Sequence, residues 1–198
     1  MRLILASNNK NKLREFKQLV EGMDIELLSQ SEAGLHLYVE ETGTTFEENA
    51  YLKAKAVTDA LGCAAVADDS GLVVDALGGE PGVYSARYGP GHDASDADRY
   101  NYLLNKLGDE KNRSARFVCC ICCTMPDGTV LRSRGECEGE IMHGPKGGFG
   151  YDPVFKPDAE DCGMAELTAD AKNAISHRGK ALRAFAEELK RYYNGNNK

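Results

Sequence analysis

Phe117-Val118-Cys119-Cys120-Ile121-Cys122-Cys123-Thr124-Met125 reads as apolar from end to end. Neighbouring side chains on a strand point to opposite faces, so an unbroken apolar run predicts a central strand covered on both sides. Pro126-Asp127-Gly128 predicts a turn, and residues 129–141 return as its hairpin partner. Upstream, Ser95 opens a helix whose buried face is Tyr100, Leu103, Leu104 and Leu107. Before it, Cys63 to Ala67 predicts a short strand that runs into Asp68-Asp69-Ser70-Gly71, and Leu72 to Leu77 predicts another, closed by Gly78-Gly79. Thr45-Phe46-Glu47-Glu48 has the form of a capping box. Phe46, Ala50, Ala54, Val57 and Leu61 then mark one helical face, and Gly62 ends it. Residues 24–28 and 2–6 predict two more strands, with Ser7-Asn8-Asn9 capping a helix that buries Leu13, Phe16 and Val20. Downstream lie a glycine-rich loop, Gly144 to Pro153, and a last helix burying Leu182, Phe185, Leu189 and Tyr192. Strands alternating with helices, plus one long hairpin, predict an α/β fold with a mixed sheet.

The 198 residues fit one domain over 1–198, or one domain in two closely packed lobes. Apolar residues at 42% and charged residues at 28% are the mix of an ordinary folded protein. No apolar run approaches the roughly 18–20 residues needed to span a bilayer, and Met1 to Ala6 is too short for a signal-peptide core. These features predict a cytoplasmic protein with no membrane partner. The net charge of −7 argues against polymeric nucleic acid, which needs a broad basic surface. It leaves room for a nucleotide, which a few placed lysines can hold. The seven cysteines are odd in number, and four lie in one strand. The run has C-x-x-C spacing at Cys119/Cys122 and Cys120/Cys123, but neighbouring cysteines on a strand point to opposite faces and the histidines of a zinc site are lacking, so they read as buried thiols acting as small hydrophobes.

Four segments carry candidate chemistry. Ser7-Asn8-Asn9-Lys10-Asn11-Lys12 follows a strand and opens a helix, where free N–H groups and the helix dipole favour a phosphate. The same residues also suit a plain polar cap with solvated lysines. Asp68-Asp69-Ser70-Gly71 places adjacent carboxylates at a strand end, where they repel unless a cation or proton relieves them. Magnesium suits such a place, because it takes one or two carboxylates and completes its shell with water and substrate phosphate. Glu40-Glu41-Thr42-Gly43 could add a ligand. A solvated acidic turn is the bland alternative.

Gly147-Gly148-Phe149-Gly150-Tyr151-Asp152-Pro153 lets a backbone approach a ligand and offers Phe149 or Tyr151 as a ring for base stacking. It is neither a dinucleotide fingerprint nor a Walker A loop, and a flexible hairpin exit is the alternative. In Lys172-Asn173-Ala174-Ile175-Ser176-His177-Arg178, Ser176 can cap the last helix. That puts His177 and Arg178 in its first turn, where cations oppose the helix dipole. Such a local violation points to function, against the alternative of a charged surface turn.

Taken together, these segments resemble the inosine triphosphate pyrophosphatase family. The resemblance covers nearly the whole chain and rests on Ser7–Lys12, Glu40–Ala50, Ala67–Gly71, Leu77–Tyr88 (LGGEPGVYSARY), Gly147–Pro153 and Ser176–Leu182, in that order. It implies an elongated mixed sheet with flanking helices in two lobes, with the nucleotide in the cleft between them. It implies hydrolysis of ITP, dITP and XTP to the monophosphate and pyrophosphate, with Mg2+ as cofactor, by a homodimer. By the same mapping, Ser7, Asn8, Asn9, Lys10, Asn11, Lys12, Lys53 and Lys172 match triphosphate-binding positions. Phe149, Gly150, Tyr151 and Asp152, with His177 and Arg178, match base-holding ones. Asp69 matches the general base and a metal ligand, Ser70 a neighbour of the substrate, and Glu40, with Glu41 adjacent, a further metal ligand. A Maf-type hydrolase of standard nucleotides is the alternative enzyme, but its Ser-x-x-Arg-Arg type of signature is not matched at Asn8 to Lys12. A nucleotide sensor without catalysis is the alternative from another class, and the intact acids and lysines argue against it.

Overall fold

The computed structural model describes residues 1–91 and 93–196, with side chains described to residue 195. Among these residues six strands, β1 (Arg2–Leu5), β2 (Glu26–Ser29), β3 (Ala64–Val74), β4 (Ser114–Thr124), β5 (Val130–Ile141) and β6 (Phe155–Pro157), form one sheet in the order β2-β1-β3-β4-β5-β6. β1 runs parallel to both β2 and β3, with Leu3 opposite Leu27 and Ala64, whereas β5 and β6 are antiparallel, with Gly139 opposite Pro157. The sheet is therefore mixed, as expected. Among the described residues five α-helices accompany it: α1 (Lys10–Leu19), α2 (Phe46–Leu61), α3 (Asp96–Leu107), α4 (Ala169–Ile175) and α5 (His177–Asn196). No helix among the described residues is long and apolar enough to cross a membrane.

Two compact units emerge. The first comprises Met1–Asp69, Cys119–Gly135 and Ala181–Lys198, and the second Ser70–Val118 and Glu136–Lys180. In the first unit the strand alternation is explicit. Leu3, Leu5, Val66, Cys119, Ile121 and Cys123 bury against Phe16 of α1 and Phe185 and Leu189 of α5. Ile4 and Ala65 bury on the other face with Val57 of α2. Fully burying each such aliphatic or aromatic side chain contributes about 1.5–3 kcal/mol, which is why helices cover both faces here. In the second unit Leu72, Val74, Phe117, Ile141 and Phe155 pack with Leu103 and Leu107 of α3 and with Met164.

The cysteine strand follows the same logic. Cys119, Cys120, Cys122 and Cys123 are all buried, and no disulfide joins any pair of the seven cysteines among the described residues. Burial pushes the Cys122 thiol up to about 11 and the Cys120 and Cys123 thiols higher still, so these thiols are protonated and unreactive at neutral pH.

Helix boundaries fall where their caps dictate. Thr45 and Glu48 complete the capping box of α2, and Gly62 closes it at φ 64°, a left-handed conformation that suits glycine. Two expectations are corrected and one element is added. The predicted break at Asp68–Gly71 does not exist, because β3 runs unbroken from Ala64 to Val74. Gly71 has no positive φ, and lysine partners for the two aspartates, described below, remove the repulsion that would have favoured a turn. The strand predicted to reach Leu77 stops at Val74, and Asp75–Leu77 form a 3-10 turn ending on Gly78. Helix α4, capped by Thr168, was not read from the sequence, since seven residues are too few to show a helical period.

Candidate active site

The acidic crest of β3 lies in the first unit. Asp68 is buried, and its Oδ1 lies 2.8 Å from Lys12 Nζ. Asp69 Oδ1 lies 3.6 Å from Lys53 Nζ, which also donates to Glu41 Oε1 at 2.7 Å. Burial pulls the Lys53 ammonium pKa down, but the Asp69 charge and the Glu41 hydrogen bond outweigh it, and the net shift is upward. Lys53 therefore stays charged and holds two carboxylates on one ammonium. Asn49, one helical turn before Lys53 on α2, donates from Nδ2 to Asp69 Oδ2 at 3.1 Å.

The helix-opening segment is built as a cap. Asn9 Oδ1 accepts from the N–H groups of Asn11 and Lys12 at 2.9 and 3.2 Å, and Ser7 Oγ accepts from Asn9 N at 3.1 Å. Asn8 Oδ1 takes Ser31 N and Oγ. Lys10 and Asn11 are exposed. Of the two adjacent glutamates, Glu41 is the one joined to Asp69 through Lys53. Glu40, the ligand position inferred from the resemblance, is exposed, and its carboxylate has no hydrogen-bond or ion-pair partner among the described residues.

A second group lies in the second unit. Phe149 is 71% exposed, and Lys172 Nζ sits 4.5 Å from its ring centroid while also pairing with Asp152. Burial raises the Asp152 carboxyl pKa, opposed by the Lys172 hydrogen bond and charge. Lys172, inferred as a triphosphate ligand, is thus grouped with Phe149 and Asp152, two of the residues inferred as base-holding. Gly150 N–H donates to Asp96 Oδ2 at 2.7 Å, and Asp96 is held in turn by Arg99. The His177 ring stacks on Phe117, 4.8 Å between centroids and 14° between planes. Ser176 Oγ accepts from Gly179 N at 3.0 Å, so it caps α5 as expected and puts His177 and Arg178 in the first turn. Ser70 follows Asp69 on β3 and is half-buried.

One ring reading is corrected. Tyr151 is buried, and its hydroxyl donates to Ser85 O at 2.9 Å. It is a core residue that anchors the loop, and Phe149 is the ring left available for stacking. Asp96 and Phe117 were not picked out from the sequence as parts of the site. Asn49 was legible there: it stands four residues before Lys53, so both can face one cleft from the same helix, and it is a polar residue set among the buried positions Phe46, Ala50 and Ala54.

The mixed α/β sheet thus carries paired acids on β3, met by Lys12 of α1 and Lys53 of α2, and a separate group in which Lys172 of α4 meets Phe149 and Asp152 of the glycine-rich segment. Comparison with known proteins is specific. The sequence model of the Ham1 family matches residues 3–188. A protein named dITP/XTP pyrophosphatase from Deinococcus deserti is 49% identical over 92% of this chain and 86% of its own. Another so named, from Bacillus anthracis, is 45% identical over 98% of both chains. The solved Ham1 protein of Staphylococcus aureus superposes with a TM-score of 0.91 at 44% identity, covering 96% of this chain and 98% of that one. A HAM1 protein from Coxiella burnetii gives 0.91 at 41%, covering 96% and 99%. The chain belongs to the Ham1 family.

Proposed function

We propose that this chain hydrolyses purine nucleoside triphosphates with non-standard bases (dITP, ITP and XTP) to the monophosphate and pyrophosphate, clearing them from the cytoplasmic nucleotide pool. The observation that carries the reading is Asp69. One carboxylate oxygen faces Asn49 and the other Lys53, and Glu41 shares that lysine. The names of the relatives supply the substrate class.

In this mechanism Asp69 accepts a proton from the attacking water. The water oxygen bonds to the α-phosphorus while the bond from phosphorus to the bridging oxygen breaks, and pyrophosphate leaves with that electron pair. Lys12 and Lys53 hold positive charge against the phosphates, where most of the work of phosphoryl chemistry lies. The donor set fits Mg2+. Asp69 and Glu41 offer hard carboxylate oxygens, gathered on the one Lys53 ammonium. A shell completed by water and phosphate is what that ion favours. When bound it would offset charge on the triphosphate. Phe149 would stack on the base, with Lys172, Asp152, His177 and Arg178 reading its edge.

Pyrophosphate release, measured by coupled phosphate detection over a panel of dITP, ITP, XTP, GTP, ATP and UTP with and without Mg2+, tests the reading. Selective turnover of the first three with Mg2+ is expected. Equal turnover of the standard nucleotides, or binding without turnover, would refute it.

The working form is a homodimer, a reading that rests on family resemblance. Sedimentation should give about twice the chain mass of 21.5 kDa. The single-chain mass persisting at micromolar concentrations would refute it.

A further inference from the structure

Asn49 is fully buried, and both ends of its amide are committed. Oδ1 accepts the Gly43 N–H at 2.8 Å, and Nδ2 donates to Asp69 Oδ2 at 3.1 Å. The assignment is unambiguous. The Gly43 N–H needs an acceptor, so the oxygen must face the loop and the NH2 must face Asp69. The loop is closed tightly onto this amide: a Cβ at Gly43 would stand 2.7 Å from Asn49 Oδ1 and 2.7 Å from Glu48 Cβ. One turn along α2, Lys53 repeats the pattern with charge, spanning Glu41 and Asp69. Residues at i and i+4 share a helix face, so α2 presents two rungs that join the Glu41–Gly43 segment to Asp69.

We propose that Asn49 is a positioning residue for Asp69. Its NH2 group holds Oδ2 and fixes the carboxylate plane, leaving Oδ1 turned toward Lys53 and the reacting water. Its oxygen registers the Glu41 segment against the same carboxylate. A neutral amide performs this task without adding charge beside two aspartates and a glutamate, which a lysine or an aspartate at position 49 would do.

The inference rests on Asp69 being the general base, so the test separates the two ideas. Asn49→Leu, of similar shape, removes the donor to Asp69 without adding charge, whereas Asn49→Asp keeps an acceptor for Gly43 N–H but puts a carboxylate in the donor's place. The kcat of each for dITP should fall about 10- to 100-fold, the usual cost of losing an orienting partner, with KM changed less than about threefold and a cooperative thermal melt retained. Gly43→Ala, which drives a methyl into the amide from the loop side, should reproduce the kcat loss. A readout independent of turnover is the Asn49 side-chain NH2 signal in a 1H–15N spectrum. It should exchange slowly with solvent and shift in Asp69→Asn. Wild-type kcat in folded Asn49→Leu or Asn49→Asp, a rise in KM alone, or an NH2 signal indifferent to Asp69→Asn would overturn the proposal. Full activity in Asp69→Asn would instead overturn the general-base reading, leaving the NMR result to judge the contact itself.

Discussion

Asp69→Asn is expected to lower turnover of dITP by roughly 10²-fold or more, the scale of loss that the proposed general-base role implies. The carboxylate is the acceptor on two sides, from Asn49 Nδ2 at 3.1 Å and toward Lys53 Nζ at 3.6 Å. An amide can present oxygen to only one of them. If it turns oxygen to Asn49, its NH2 faces the Lys53 ammonium, donor against donor. If it turns the other way, it faces the Asn49 NH2. Neither arrangement can take a proton from water. The fold should survive, because the change is nearly isosteric and Lys53 keeps Glu41 at 2.7 Å. Initial rates set beside a thermal melt decide the matter. A folded Asp69→Asn protein that hydrolyses dITP at near wild-type rates would remove Asp69 from the mechanism.

The second large effect concerns the base. Arg178 lies in the first turn of α5, behind the Ser176 cap and beside His177, whose ring is fixed against Phe117. Hypoxanthine and xanthine carry a carbonyl at position 6, where adenine carries an amino donor. A guanidinium has donors and no acceptor. It bonds the carbonyl but meets adenine donor to donor, and a buried donor left unsatisfied costs about 1–3 kcal/mol. That converts to a preference over ATP of roughly 5- to 150-fold at ~1.4 kcal/mol per decade. Guanine shares the position-6 carbonyl, so Arg178 does not distinguish it, and rejection of GTP must come from contacts at its 2-amino group. Arg178→Ala should therefore erode the ITP-over-ATP preference far more than the ITP-over-GTP preference. Values of kcat/KM for the three nucleotides in wild type and variant make the comparison. Equal loss of both preferences, or of neither, would show that Arg178 does not read the base this way.

Much of this molecule is legible along the chain because its signals are local. A capping box needs only Thr45 and Glu48, and a helix stop needs only Gly62. The double-sided burial of β4 follows from an uninterrupted apolar run, whose alternate cysteines reach the core around Phe16 and Phe185. The family followed from ordered motifs, each short enough to read by eye. The sequence also put Asp69 and Lys12 forward as candidates, from a strand end and a helix start, and Lys53 through the family resemblance.

Only the tertiary structure decided how those charges are paired. Asp68 and Asp69 looked like a turn because nothing nearby in sequence neutralises them. Lys12 and Lys53, 56 and 16 residues away, do so in space, and the strand runs straight through. Whether Glu40 or Glu41 turns inward depends on the path of an irregular loop, which no periodicity encodes. The structure joins Glu41 to Asp69 through Lys53, because the loop is latched at Gly43 by an amide six residues on. Tyr151 and Phe149 are both aromatic residues in a glycine-rich loop, and composition cannot rank them. A carbonyl at Ser85, 66 residues upstream, accepts the tyrosine hydroxyl and takes that ring into the core. Local chemistry fixed the elements and the family. Long-range hydrogen bonds and ion pairs, each satisfying a polar group that burial would otherwise penalise, fixed which side chains the site presents.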